Sequence, residues 1–176
     1  MNLPNKLTLI RVIMVPIFII AFLFNYYFVA LVIFIAASVT DYFDGKIARE
    51  RNLVTNFGKI MDPLADKILV YSALCLLIEA YVLSAWMLIL ILAREFIVAG
   101  MRTVAASEGI ILAAGMSGKI KTVLQMVSVC ILLLAVALPN AEYIMTAGKL
   151  IFFASLIMTV YSGTEYVLKN KNIFRM

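Results

Sequence analysis

Histidine is absent from the 176 residues, and cysteine occurs only as Cys75 and Cys130. Without an imidazole the chain cannot activate a nucleophile through histidine, ligate a metal with it, or carry a phosphohistidine. The two cysteines lie inside apolar runs, with neither metal-ligand spacing nor a disulfide framework, and read as small core residues. Charge is also scarce: 14% of residues are charged against 65% hydrophobic, and the mean hydropathy is +1.06. That balance excludes an ordinary soluble globular domain. The net charge of +5 is not a nucleic-acid signal, because the basic residues sit at the ends of apolar segments, where they anchor to anionic headgroups. No small-residue cleavage site follows the first apolar run, which Arg11 interrupts, so this segment is expected to remain in the mature protein.

What is present is a series of long apolar runs separated by short polar breaks. The pattern predicts an all-α, polytopic membrane protein with one domain over residues 1–176 and no extramembrane module. A short interfacial segment, 1–7, precedes six spans at about 8–23, 28–50, 62–80, 85–105, 119–138 and 147–168, with Pro16 kinking the first. With both termini on one side, only Lys149 of the 15 lysines and arginines falls on the other, a split of 14 to 1. This asymmetry predicts an even number of spans in the cell membrane, with both termini and a polar cavity facing the cytoplasm.

The chain is organised around residues 41–66, DYFDGKIARERNLVTNFGKIMDPLAD. Asp41 and Asp44 are three apart and Asp62 and Asp66 four apart, so on helices each pair shares a face. Pro63 suits the first turn of a new helix, which predicts a helix ending near Arg51, a tight reversal around 55–58, and a second helix running back. Two carboxylates about 5 Å apart repel by roughly 3 kcal/mol at an effective dielectric of ~20, so four together call for protonation or cations. An all-oxygen donor set selects hard ions such as Mg²⁺ or Mn²⁺, and room for two suggests two-metal phosphoryl chemistry. The competing interpretation is a solvated loop whose acids pair with Lys46, Arg49 and Arg51. Gly45 and Gly58 would let a bulky ligand approach the backbone, where helix packing and a turn are the plainer roles. Arg49 can reach a phosphate held at the site, or snorkel to headgroups.

Asp41-x-x-Asp44-Gly45-x-x-Ala48-Arg49, followed after eight residues by Gly58-x-x-x-Asp62-x-x-x-Asp66, resembles the signature of the CDP-alcohol phosphatidyltransferase family at every position. The six-span layout extends the resemblance over nearly the whole chain, with a somewhat short first loop. The resemblance implies a six-helix membrane domain, usually a homodimer, with a hydrophilic cavity open to the cytoplasm. It implies that Asp41, Asp44, Asp62 and Asp66 bind two divalent cations and that Asp66 is also the general base. Gly45 and Arg49 would contact the CDP-lipid, Gly58 would admit the nucleotide, and Thr55 would contact nucleotide or phosphate. Asn5 and Thr8 resemble the stretch that closes over the nucleotide in relatives.

Acceptor identity turns on cations. Arg94, Arg102, Lys119 and Lys121 lie near the same ends of the fourth and fifth spans, and together they favour an anionic acceptor such as glycerol 3-phosphate. Arg94-Glu95 sits deep in an apolar helix, where charge is expensive and usually functional, though an internal pair would also accommodate it. Lys119 and Lys121 could equally be topology markers. The stretches NLPNKLTLIRVIMVP, AREFIVAGMR and GKIKTVLQM are similar to family members that use glycerol 3-phosphate. That likeness implies CDP-diacylglycerol and glycerol 3-phosphate as substrates, and phosphatidylglycerol phosphate and CMP as products. The alternatives are the same fold with serine, inositol phosphate or phosphatidylglycerol as acceptor and, more remotely, a divalent-cation transporter.

Overall fold

A computed structural model describes residues 3–50, 56–110, 112 and 115–171, with side chains described except at 3–7, 41–50, 56–60, 62, 63 and 66. Six helices follow one another: α1 (Leu3–Leu23), α2 (Tyr27–Glu50), α3 (Asn56–Glu79), α4 (Ala85–Ser107), α5 (Met116–Ala137) and α6 (Glu142–Lys169). No strand occurs among the described residues.

Three helices close with the same device. After α1, Tyr26 N–H donates to the Ala21 carbonyl and Asn25 N–H to that of Phe22. Val82 and Tyr81 repeat the pattern on Leu77 and Ile78, and Ile110 and Gly109 on Ala105 and Ala106. Each is a Schellman closure whose pivot is left-handed, with φ of 64° at Asn25, 58° at Tyr81 and 75° at Gly109. α5 ends differently. Leu138, before Pro139, is extended at φ −107°, ψ 132°, as steric conflict with the proline ring requires.

The apolar interior joins Phe18 and Phe22 of α1, Phe34 of α2, Leu69 and Leu77 of α3, Ile91 of α4, Leu132 of α5 and Phe152 of α6. Phe18 and Phe34 meet with ring centres 5.9 Å apart. A smaller cluster unites Val98 and Met101 of α4 with Tyr166 of α6. The outside is equally apolar: Ile13, Ile17 and Ile20, Val32 and Ile35, Ile68, Ile89 and Phe96, Val123, and Leu150 and Ile157 are all exposed, as is Trp86 at the start of α4. Soluble proteins do not present such faces on every helix; the chain associates with a membrane. Among the described residues, α5 and α6 are each long and apolar enough to cross a bilayer, and Thr8–Leu23 and Tyr27–Thr40 are shorter apolar stretches.

Several expected boundaries are corrected. α1 runs unbroken from Leu3, so the interfacial piece is continuous with the first apolar helix. α3 begins at Asn56 rather than Asp62, so Asn56, Phe57 and Gly58 are helical rather than part of a reversal. Pro63 is therefore inside the helix, where it removes one main-chain bond. α5 and α6 start at Met116 and Glu142, ahead of Lys119 and Ala147. Glu142 in the first turn of α6 complements the helix dipole.

Candidate active site

The aspartate motif occupies two consecutive helices in contact with each other. Asp41, Asp44, Gly45 and Arg49 lie in the second half of α2, and Gly58, Asp62 and Asp66 in the first half of α3. At 3.6 residues per turn each aspartate pair spans about one turn. Their side chains, and that of Asn5 in the first turn of α1, lie outside the described residues, as does Thr55 altogether. Thr8 is described: it is 1% exposed on α1, and so is Arg11 one turn later. In the sequence Arg11 stands out as a break in the apolar run and as one of the 14 basic residues expected on the cytoplasmic side. Its burial marks it as part of the polar interior.

A charged junction stands immediately after Asp66 in the chain. Lys67 of α3, Glu95 of α4 and Lys121 of α5 converge: Lys121 Nζ donates to Glu95 Oε1 at 2.6 Å, and Lys67 Nζ lies 3.2 Å from Oε2. Arg94 Nη1 reaches Oε1 at 3.3 Å, so one carboxylate serves three cations. Lys121 is almost wholly enclosed, with 4% of its side chain exposed. A buried ammonium without a counter-ion carries a penalty of several kcal/mol, and Glu95 is its counter-ion. Lys67, Glu95 and Lys121, with Tyr71, Thr122 and Gln125, line a cavity of about 100 Å³ whose remaining walls are Val70, Met126. About 10–15 Å³ on the same measure already holds one water, so the space admits a larger polar group.

Arg94 does not line that cavity. Its guanidinium donates from Nη2 to Ser162 Oγ of α6 at 3.2 Å and rests in a slot made by two glycines. A Cβ on Gly163 would lie 2.9 Å from Arg94 Cγ, and one on Gly118 would lie 3.2 Å from Nη2. The four cations expected to act together therefore separate. Arg94 and Lys121 meet at Glu95, whereas Arg102, eight residues and about 12 Å further along α4, donates from Nε to the Tyr166 hydroxyl at 3.2 Å. Its guanidinium carbon is also 5.6 Å from the centre of the Tyr166 ring, a cation–π arrangement. Lys119 is exposed while Lys121 is buried, because residues two apart stand about 200° around a helix from each other. Lys67, Tyr71 and Gln125 carried no functional expectation in the sequence. Lys67 offered a signal in directly following Asp66, but the others offered none.

Comparison with known proteins points one way. A family model described as CDP-alcohol phosphatidyltransferase matches residues 1–161. The CDP-diacylglycerol–glycerol-3-phosphate 3-phosphatidyltransferase of Bacillus subtilis (strain 168) is 44% identical over 184 residues, covering 96% of this chain and 95% of its own. The protein of that name from Rickettsia felis is 37% identical, over 98% and 97% of the two chains. That from Escherichia coli K12 is 39% identical, over 94% and 93%.

Proposed function

The chain belongs to the CDP-alcohol phosphatidyltransferase family, and on that premise we propose that it transfers the phosphatidyl group of CDP-diacylglycerol to glycerol 3-phosphate. The products are phosphatidylglycerol phosphate and CMP, which makes the chain a transferase of phospholipid biosynthesis. Full-length likeness to relatives carrying that activity in their names supports the reading. The observation within this chain that carries it is the lysine-lined cavity beginning at the residue after Asp66.

The donor set fits two divalent cations, Mg²⁺ or Mn²⁺. Four carboxylates, Asp41, Asp44, Asp62 and Asp66, stand on two touching helices with each pair about a turn apart, and oxygen-only ligation suits hard ions. When bound, such ions neutralise the charge of a pyrophosphate and of the developing leaving group. Asp66 accepts the proton of the glycerol 3-phosphate hydroxyl as its oxygen bonds to the β-phosphorus of CDP-diacylglycerol. The bond from that phosphorus to the bridging oxygen breaks, and CMP leaves with the electron pair. Gly45 and Gly58 allow the nucleotide close to the backbone, Arg49 and Thr55 contact its phosphates, and Asn5 and Thr8 close over it. Lys121 and Lys67 receive the acceptor's phosphate, with Arg94 behind them and Arg102 and Lys119 at the approach.

The same reading makes the chain a single six-span membrane domain, working as a homodimer, with both termini and the cavity on the cytoplasmic side of the cell membrane. Six helices return the chain to the side on which it began, and the excess of lysine and arginine there supports that orientation. An acceptor panel tests the reaction. Purified protein given CDP-diacylglycerol and Mg²⁺ or Mn²⁺ is expected to release CMP with glycerol 3-phosphate. Release with serine, inositol phosphate or phosphatidylglycerol instead would overturn the acceptor, and loss of release on chelation would support the cation requirement.

A further inference from the structure

We propose that Glu95 is a positioning residue for the acceptor's phosphate: its carboxylate gathers Lys67 and Lys121 from two other helices onto one wall of the cavity and aims their remaining donors at a phosphate monoester. The inference rests on the reaction proposed above and adds to it a residue of opposite charge to the ligand. Glu95 divides its oxygens, Oε1 accepting from Lys121 and Oε2 lying against Lys67. An ammonium has three N–H donors, so Lys121 has two left after its bond to Glu95, and Lys67 is held beside Oε2 as an ion pair. Three cations around one carboxylate leave a surplus of two positive charges, and a phosphate monoester brings about −1.5 to −2 at neutral pH. The cluster is thus neutralised by a ligand of that class rather than by Glu95 alone.

The connections also have an order. Ser162 of α6 holds Arg94, Arg94 holds Glu95, and Glu95 holds the two lysines that face the cavity. Gln125, one turn beyond Lys121 on the same face of α5 and 5% exposed, adds an amide to the lining. Among the described residues, only Glu95 touches Lys67, Lys121 and Arg94 together. Removing its charge therefore frees the lysines to separate. Had Glu95 instead merely occupied the phosphate's place, removing its charge would tighten phosphate binding, so the two roles differ in sign.

The test compares full-length wild type, Glu95→Gln and Glu95→Asp by CMP release, varying each substrate in turn and adding inorganic phosphate as a competitor. Glu95→Gln is expected to raise both the KM for glycerol 3-phosphate and the Ki for phosphate about tenfold or more, the scale of a broken buried charge pair. The KM for CDP-diacylglycerol should stay within about twofold, and Glu95→Asp should recover part of the loss. A lower KM and Ki in Glu95→Gln would make Glu95 a competitor of the substrate. Equal loss toward both substrates, with no recovery in Glu95→Asp, would make it a packing residue. If wild type releases no CMP with glycerol 3-phosphate, the reaction itself is misassigned, whereas wild-type activity with unchanged Glu95→Gln constants overturns this inference alone.

Discussion

The two ends of the helix bundle are built on different physics. At one end, α1 and α2, α3 and α4, and α5 and α6 are joined by reversals only a few residues long, each containing a non-glycine residue at positive φ: Asn25, Tyr81 and Asn140. The charged side chains described there are Glu79, Glu142 and Lys149, all exposed. The opposite half holds buried Arg11 and Lys121 and the Glu95 junction. Bonds at the first end connect residues within five or six positions of each other. In the charged half Lys121 meets Glu95 across 26 positions and Arg94 meets Ser162 across 68. One end is closed by local main-chain geometry, and the other, besides the local closure of α4 at Gly109, depends on the whole bundle having assembled. Substitutions should therefore change stability at the first end and substrate handling at the second.

The largest effect is expected from Asp66→Asn. Loss of a general base lowers turnover by about 10²–10⁴-fold, and CDP-diacylglycerol binding, measured by equilibrium binding to detergent-solubilised protein, should survive. Equal loss of both would make Asp66 chiefly a metal ligand. Next, Lys121→Ala strands Glu95 beside fewer cations, and breaking a buried pair costs about 3–5 kcal/mol. It should raise the KM for glycerol 3-phosphate at least about tenfold, while Lys119→Ala, on the exposed side of α5, should change it by less than about threefold. Similar values for the two lysines would erase the distinction that helix geometry draws between them.

Gly163→Ala is expected to act at intermediate strength. Its methyl would press on Arg94 Cγ from 2.9 Å, an overpacking of about 1–3 kcal/mol visible as a lower Tm and a modest rise in the acceptor's KM. An unchanged Tm would mean that Arg94 can leave its slot freely. The smallest effect belongs to the other end. Tyr81 is 96% exposed with φ 58°, and a left-handed non-glycine residue costs about 1–2 kcal/mol. Tyr81→Gly should thus raise stability by up to about 1 kcal/mol, after the greater chain entropy of glycine is counted, and leave both KM values alone. A shift in either KM would show the two ends to be coupled.

Six apolar runs were legible as six helices because each is long enough to declare itself. The reversals at 81–84 and around Pro139 were legible because Ser and Pro interrupt apolar periodicity there. Pro63 misled for a physical reason: proline is favoured in a helix's first turn, yet α3 extends well ahead of it to Asn56. Asp41, Asp44, Asp62 and Asp66 announced themselves by type and spacing, and a family model spans them all. The cation set was legible by type but not by direction, since Lys119 and Lys121 differ only in where 3.6-residue geometry aims them. Glu95 could be seen only as the neighbour of Arg94. Its lysine partners come from α3 and α5, and no pattern local to α4 encodes them.

Trp86 is the chain's single tryptophan, half exposed at the start of α4 and on the same rigid rod as Glu95. Its fluorescence therefore reads one position without background. Quenching by lipids brominated at graded depths would locate the first turn of α4 within the bilayer. A change in its emission as glycerol 3-phosphate is added would report that the rod itself tilts when the distant cavity fills.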